Sequence, residues 1–156
     1  MFSIRPGLNV GRGTMIVGEL ALTTAAFFSG AAVYVSAAEQ PARLELDDKD
    51  LLAEWKRSYK LGAAQQAPLV FIGALLGCLA WWQMGDWRWL LGAAALISAW
   101  PYTGFVIMPT NDRLDAIGLE HAGPESRALI KKWGRMHLVQ AGQGIAATLC
   151  FLWASA

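Results

Sequence analysis

Four long apolar segments, separated by blocks of charged residues, dominate the pattern of this chain. The apolar segments are residues 15–38, 67–84, 87–108 and 136–154. Charged residues gather between them, at roughly 39–60 and 112–135. A helix that crosses a bilayer requires about 20 mostly apolar residues, and each segment is close to that length. The pattern predicts an all-α, membrane-spanning four-helix bundle that occupies residues 1–156 as a single domain.

The first segment also resembles a secretory signal, because Arg5 and Arg12 precede an apolar run that ends in the small residues "VSAA" at 35–38. The run is about 24 residues long, which is longer than the apolar region of a typical signal. We therefore predict that the first segment is retained as a helix of the bundle.

Basic residues are concentrated in the two long connections, and this predicts the orientation. Ten of the 13 Lys and Arg residues lie there: Arg43, Lys49, Lys56, Arg57, Lys60, Arg113, Arg127, Lys131, Lys132 and Arg135. Connections rich in Lys and Arg stay in the cytoplasm. We therefore predict a multi-pass protein of the plasma (inner) membrane, with both long connections inside and both termini outside.

Composition adds little chemistry of its own. The net charge of +1 does not indicate the strongly basic surface that is typical of nucleic-acid-binding proteins. Cys78 and Cys150 lie inside predicted spans, where we expect packing rather than a disulfide, and no Cys/His spacing is typical of a metal site. Trp81, Trp82, Trp87 and Trp89 crowd the short connection and suit an interfacial aromatic belt. Membrane lipid is an expected partner, and a homo-oligomer remains open.

The chain resembles two copies of one unit, each made of a helix, a polar turn and a second helix. Each copy has a tyrosine seven residues before a proline: Tyr34 and Pro41, then Tyr102 and Pro109. Further along, "WKRSY" at 55–59 parallels "WGRMH" at 133–137. Two parallel hairpins of this kind imply a pseudo-two-fold axis along the membrane normal.

The second and fourth helices are predicted to begin well before their apolar segments. Asp47 or Asp48 can cap a helix that begins "DKDLLAEW", because a carboxylate accepts the free N–H groups of the first turn. Pro124 suits the first position of the fourth helix, and Pro68 is expected to kink the second. Both helices should therefore extend into the cytoplasm.

Polar motifs are predicted to meet at one membrane face. "EQPARL" at 39–44 ends the first span and "MPTNDRL" at 108–114 ends the third. Two helix faces lead into the other spans at helical spacing: Trp55, Tyr59 and Gln66 on the second helix, and Trp133, His137 and Gln140 on the fourth. Four polar motifs at one end of a bundle are able to enclose a site.

These motifs, in this order and in a four-span chain of this size, resemble the DUF1772 family, which includes the anthrone oxygenases of polyketide pathways. The resemblance covers roughly residues 15–154. Its most specific parts are Pro109, Asn111 and Leu114, followed by Trp133 and His137. An arginine often lies three positions beyond the family's histidine, where this chain has Gln140.

The resemblance implies a monooxygenase, an oxidoreductase that oxygenates an activated phenolic C–H without a cofactor or metal. An anthrone has an acidic methylene, and its carbanion is able to reduce O₂. Such a protein needs a base, which is most often histidine, and donors for the oxyanion. The ligand would be a hydrophobic small aromatic or quinone-like molecule at a cytoplasm-facing pocket.

Site roles follow from the resemblance. His137 would be the base, while Asn111 and Arg43 would complete the catalytic set by orienting the substrate or stabilising an oxyanion. The expected substrate-binding residues are Gln140, Trp133, Tyr102, Tyr59 and Trp55. As alternatives, Asn111 bonds its own backbone in a turn after Pro109, and Arg43 only anchors the bundle through acidic neighbours such as Glu39.

Two rival functions remain open. One is a non-enzymatic bundle that binds a lipid or quinone, or an accessory subunit, with Asn111 and Arg43 saturated by backbone partners. A cavity of roughly 300 Å³ or more would favour an enzyme or binder over a filled bundle. The other is a haem or metal protein, for which His137 would need supplementary ligands from Met108, Met136 or Glu39.

Overall fold

The computed structural model describes residues 10–156, apart from the side chains of Val10, Arg12 and Thr14. Over that range the chain forms helices and no strands. Four long helices, α1 to α4, follow one another. Helix α1 comprises Val10–Tyr34, a π-helical turn at Val35–Glu39 and an α turn at Gln40–Arg43; α2 is Asp48–Met84; α3 comprises Arg88–Ile97, Ala99–Tyr102, a π-helical turn at Thr103–Ile107 and Met108–Ala116; α4 is Pro124–Ser155.

All four helices are long and apolar enough to span a membrane, which confirms the predicted four-helix bundle and indicates a multi-pass membrane protein. Asp47 caps α2, since its carboxylate accepts the N–H of Asp50 at 2.8 Å, and Pro124 opens α4. Helix α2 continues unbroken through Pro68. The choice of membrane and the orientation stay predictions, and Arg5 lies outside the described residues.

The short connection between α2 and α3 is closed by a glycine and an ion pair. Gly85 has a positive φ of 74°, and its N–H bonds the carbonyl of Trp81 at 2.7 Å to end α2. Arg88 donates from Nε to the Asp86 carboxylate at 2.7 Å. This hydrogen bond holds the pKa of Asp86 below its usual value.

Small residues bring the helices together within the membrane region. Helices α1 and α3 each pack against both α2 and α4. A Cβ placed on Gly18 would lie 2.6 Å from the Trp89 ring, and one on Gly77 would lie 2.7 Å from the ring of Phe151. Close backbone approach through small residues is typical of membrane bundles. Trp89 is buried in this packing, so its assignment to the interfacial belt was wrong.

Both cysteines are free thiols. Cys150 is half-buried, whereas Cys78 faces outward from the bundle. A packing role inside the bundle is therefore excluded for Cys78, because its position on α2 turns it away from the other helices.

Two apolar cores lie along the bundle axis. One, in the membrane region, is built around Phe28, Leu96 and Phe151. The other, which we call the motif core because it lies near the polar motifs, is built around Trp55 and Trp133. Residues from both cores line one cavity, which therefore lies where the two cores meet.

The predicted repeat has a structural counterpart in the two π-helical turns. Each turn ends two residues before a proline, at Glu39 before Pro41 and at Ile107 before Pro109. Proline has no N–H to donate within a helix, and a π turn is one way for a helix to absorb that loss. Helix α3 consequently continues to Ala116, so the expected turn at Asn111 was wrong.

The tryptophan motifs also correspond. Trp55 stacks on Tyr59 with ring centroids 4.3 Å apart, and Trp133 stacks on His137 at 4.9 Å. Each pair is spaced by one helical turn, which brings the two rings to the same face. The two tryptophans then meet edge to face at 6.0 Å. Tyr59 and His137 thus occupy equivalent places in the two hairpins.

Replacement of Gly92 by alanine is expected to destabilise the bundle by about 1–3 kcal/mol. The added Cβ would overlap the ring of Phe151. Gly30→Ala is the matched control, since a Cβ there meets nothing within 4 Å and helical Gly→Ala changes otherwise stabilise. Thermal unfolding of both variants in one detergent measures the difference, and equal melting temperatures would contradict the packing argument.

Candidate functional site

The cavity between the two cores has a volume of about 120 Å³, and about 740 Å³ when all the empty space in and around its opening is counted. This volume is large enough for several water molecules, since one needs about 10–15 Å³ on this measure. It is smaller than the roughly 300 Å³ expected for a pocket that encloses a ligand, so the cavity volume by itself does not favour an enzyme or binder over a filled bundle. The cavity is lined by all four helices and its walls are mostly apolar. Its polar side chains gather toward the end of the bundle that carries the polar motifs, which we call the motif end.

His137 lies in the wall of this cavity and is 5% exposed. Its Nδ1 is 3.1 Å from the hydroxyl of Ser36, which belongs to the first π turn. Its ring lies flat on Trp133, at an interplanar angle of 26°. Both contacts hold the imidazole in place, and Nε2 has no hydrogen-bond partner within residues 10–156.

Arg43 is a buried cation, 3% exposed, that also lines the cavity. It pairs with Glu39 one turn earlier, and its Nε lies 3.0 Å from Glu54 but out of line for a hydrogen bond. Its Nη2 donates to Ser58 at 3.0 Å, whereas Nη1 has no partner in the described part of the chain. The guanidinium carbon lies 5.5 Å from the centre of the Trp133 ring.

Acidic side chains therefore account for the position of Arg43, as the anchoring alternative expected. They leave two buried nitrogens of the guanidinium, Nε and Nη1, without a hydrogen bond among the described residues, and Nη1 has no acidic neighbour either. A buried donor without a partner is costly, so a ligand oxygen at Nη1 would be stabilised.

Asn111 is buried at the end of α3 and lines the same cavity. Its Nδ2 makes only a long contact, 3.7 Å, to the sulfur of Met108. Its Oδ1 is buried and has no partner among the described residues. The saturation by backbone groups that a purely structural bundle predicts is thus not found at Asn111.

Gln140 lies one turn beyond His137 on α4 and faces the same cavity. Its amide nitrogen donates to the hydroxyl of Thr103 at 2.6 Å. Thr103 begins the second π turn, so each π turn provides a hydroxyl group to a polar side chain of α4.

Aromatic side chains form much of the remaining wall. Tyr59 and Trp133 line the cavity, together with Trp100, which is 52% exposed. Tyr59 donates its hydroxyl proton to Asp115. Trp55 is fully buried behind Tyr59 and Trp133 and does not reach the cavity.

Six of the eight predicted site residues line the cavity: Arg43, Tyr59, Asn111, Trp133, His137 and Gln140. Trp55 and Tyr102 do not. Trp55 supports the wall from behind. Tyr102 points instead to the backbone of α4, where its hydroxyl donates to the carbonyl of Met136 at 3.2 Å.

Sequence reasoning missed the side chains that hold the site residues from neighbouring helices. These are Ser36, Glu54, Ser58 and Thr103. The prolines two residues beyond each π turn were the available signal for Ser36 and Thr103. Nothing in the local sequence marks Glu54 or Ser58, because their partner lies on another helix.

No three His, Cys, Asp or Glu side chains between residues 10 and 156 lie together in a way that would hold a metal ion. Met108 and Met136, the expected supplementary ligands, make other contacts. The sulfur of Met108 faces the Asn111 amide, and Met136 packs in the motif core.

Known proteins share this sequence pattern. The family model for anthrone oxygenase matches residues 55–150. An anthrone oxygenase from Claviceps purpurea (strain 20.1) is 30% identical over 139 residues, which cover 80% of this chain and 80% of that protein. This chain belongs to the anthrone oxygenase family. A second anthrone oxygenase, from Aspergillus novofumigatus (strain IBT 16806), is 29% identical over 139 residues, 80% of this chain and 84% of its own.

The match to the anthrone oxygenase family covers most of the cavity wall. Residues 55–150 include Tyr59, Asn111, His137 and Gln140. Arg43 precedes the matched range. No solved structure matches this chain.

Proposed function

We propose that this protein oxygenates an activated, phenolic C–H group of a small aromatic molecule, without a cofactor, in the cavity at the motif end of the bundle. The observation that carries the proposal is the setting of His137. One ring nitrogen is held by Ser36, the ring is stacked on Trp133, and the other nitrogen of this cavity-lining residue has no partner in the part of the chain that the structure describes. Family membership supports the same reaction class.

In the proposed reaction, Nε2 of His137 takes a proton from the acidic methylene of an anthrone-like substrate. This requires that Nδ1 carries the ring proton and donates it to Ser36, so that Nε2 presents its lone pair. The resulting carbanion transfers its electrons to O₂, and a carbon–oxygen bond forms. The protonated His137 returns its proton to the resulting peroxide. The second methylene proton then leaves while the oxygen–oxygen bond breaks, so that a carbonyl and one water molecule form.

Arg43 and Asn111 would act on the substrate rather than on O₂. Deprotonation of the methylene places negative charge on the conjugated carbonyl oxygen. The unused Nη1 of Arg43 is a charged donor for that oxygen, and preorganised donors of this kind stabilise developing charge. The unpartnered Oδ1 of Asn111 would accept a phenolic hydroxyl of the same substrate.

The small volume of the cavity limits how such a molecule is held. A flat tricyclic substrate would extend from the cavity through its opening, with its methylene innermost. Stacking against Tyr59 and Trp133 favours a planar ligand.

Anthrone supplied with ¹⁸O₂ to the purified, chelator-treated protein tests the reaction. We expect one ¹⁸O atom in the new carbonyl group and the other in water, at a rate well above that in protein-free detergent. Mass spectrometry of the quinone measures the label. Binding of anthrone without any rate above the detergent background would contradict oxygenation and favour the ligand-binding rival.

A further inference from the structure

We propose that Thr103 is a positioning residue that turns the Gln140 amide so that its carbonyl oxygen faces the cavity. The cavity would then select ligands that donate a hydrogen bond at this point. This inference rests on the cavity being the ligand site of the proposed function, but it does not require turnover.

The first step concerns the single proton of the Thr103 hydroxyl. Oγ1 of Thr103 lies 2.7 Å from the backbone carbonyl oxygen of Ala99, one turn earlier in α3. A carbonyl oxygen only accepts, so the hydroxyl must donate its proton to Ala99. Towards any other group, Thr103 is left as an acceptor.

The second step concerns the atom of Gln140 that meets this hydroxyl at 2.6 Å. Because Thr103 only accepts here, that atom must be the NH₂ group. The reversed amide would place two oxygen atoms 2.6 Å apart with no proton between them. The orientation of the Gln140 amide thus follows from which atoms can donate and accept, even though its oxygen and nitrogen ends have nearly the same shape.

The third step concerns the other end of the amide. Gln140 and Thr103 both line the cavity, and Oε1 of Gln140 has no hydrogen-bond partner within the described residues. Gln140 lies one helical turn beyond His137 on α4, on the same helix face as this proposed base. A hydroxyl or N–H group of a ligand is the missing partner, whereas a methyl ether of nearly the same shape leaves Oε1 unpaired, which is unfavourable.

The same device occurs deeper in the bundle, away from the cavity. Ser98 donates to the carbonyl of Ala95 at 2.6 Å and accepts from the Gln143 amide at 3.0 Å. Gln143 does not line the cavity. Ser98 therefore provides a matched control in which the chemistry is alike and the location differs.

The test compares 1-naphthol with 1-methoxynaphthalene, which share an aromatic frame and differ in the donor. Dissociation constants are measured by equilibrium dialysis of the full-length protein in one detergent. We expect wild type to prefer naphthol about five- to tenfold, the size of one hydrogen bond. In Thr103→Val the preference should fall to about twofold or less, while Thr103→Ser and Ser98→Ala should keep it. Each dissociation constant is corrected for the partition of that ligand into protein-free micelles, so that the two ligands can be compared within one variant as well as between variants.

Gln140→Leu is the second variant, in case Thr103→Val does not fold. It should lose the preference by itself. An equal loss of affinity for both ligands in Thr103→Val would indicate a merely structural role and would overturn the proposal. A wild-type protein that does not prefer naphthol over its methyl ether would also overturn the proposal. If the preference depends on Thr103 but anthrone is not turned over, this inference stands and the oxygenase proposal fails. If anthrone is turned over but Thr103→Val keeps the preference, the oxygenase proposal stands and this inference fails.

Discussion

His137→Ala should lower the turnover of an anthrone by about 10²- to 10⁴-fold, the usual contribution of a positioned general base. The imidazole is the only histidine ring at the cavity wall described here, and alanine leaves no group that accepts the methylene proton. Oxygen uptake by the purified variant, corrected for spontaneous oxidation, measures the effect.

His121→Ala is the control for this change. His121 lies in the 3₁₀ turn between α3 and α4, where its exposed side chain pairs with Glu120 at 3.2 Å. We expect turnover to stay at the wild-type level. A His137→Ala protein that unfolds at the wild-type temperature and keeps full turnover would show that His137 is not the base.

Trp55→Ala is expected to cost about 3–5 kcal/mol of stability, as large-to-small changes of buried aromatic residues do. Trp55 is 0% exposed, and its ring contacts those of both Tyr59 and Trp133. Its indole N–H has no partner among the described residues, so the loss comes from packing and not from a hydrogen bond. Denaturant-induced unfolding in a single detergent measures the change.

Trp82→Ala provides the comparison for Trp55. Trp82 is 77% exposed on α2, and exposed substitutions usually change stability by less than about 0.5 kcal/mol. Similar losses for both variants would mean that the motif core contributes little to stability. A large loss confined to Trp55→Ala would establish that the wall behind the cavity depends on it.

Much of the site was predictable because its members are spaced by helical turns. Trp133, His137 and Gln140 reach one face of α4 by spacing alone, and Tyr59 follows Trp55 in the same way on α2. Trp55 was expected to bind the substrate for the same reason. It lies behind Tyr59 instead, because the depth of a residue in a bundle depends on neighbouring helices as well as on its own face.

Other parts of the site were not predictable, because they depend on contacts between distant residues. Asn111 was expected in a turn after Pro109, since proline commonly ends a helix. The π turn before it keeps α3 continuous, and Asn111 is buried at the cavity instead. The arginines that follow the two prolines also differ: Arg43 is enclosed by Glu39 and Glu54, whereas Arg113 stays exposed beside Glu125.

By itself the sequence determined the four apolar helices, their hairpin order and the gathering of polar motifs at one end. Segment length, hydrophobicity and the helical period act within one helix at a time, so they can be recognised without a structure. Only the tertiary structure decided the volume of the cavity, the incomplete hydrogen bonding of Arg43 and the link between Thr103 and Gln140. These depend on where side chains of different helices meet, and hydrogen bonds across helices vary with shifts of less than an ångström, which no local pattern encodes.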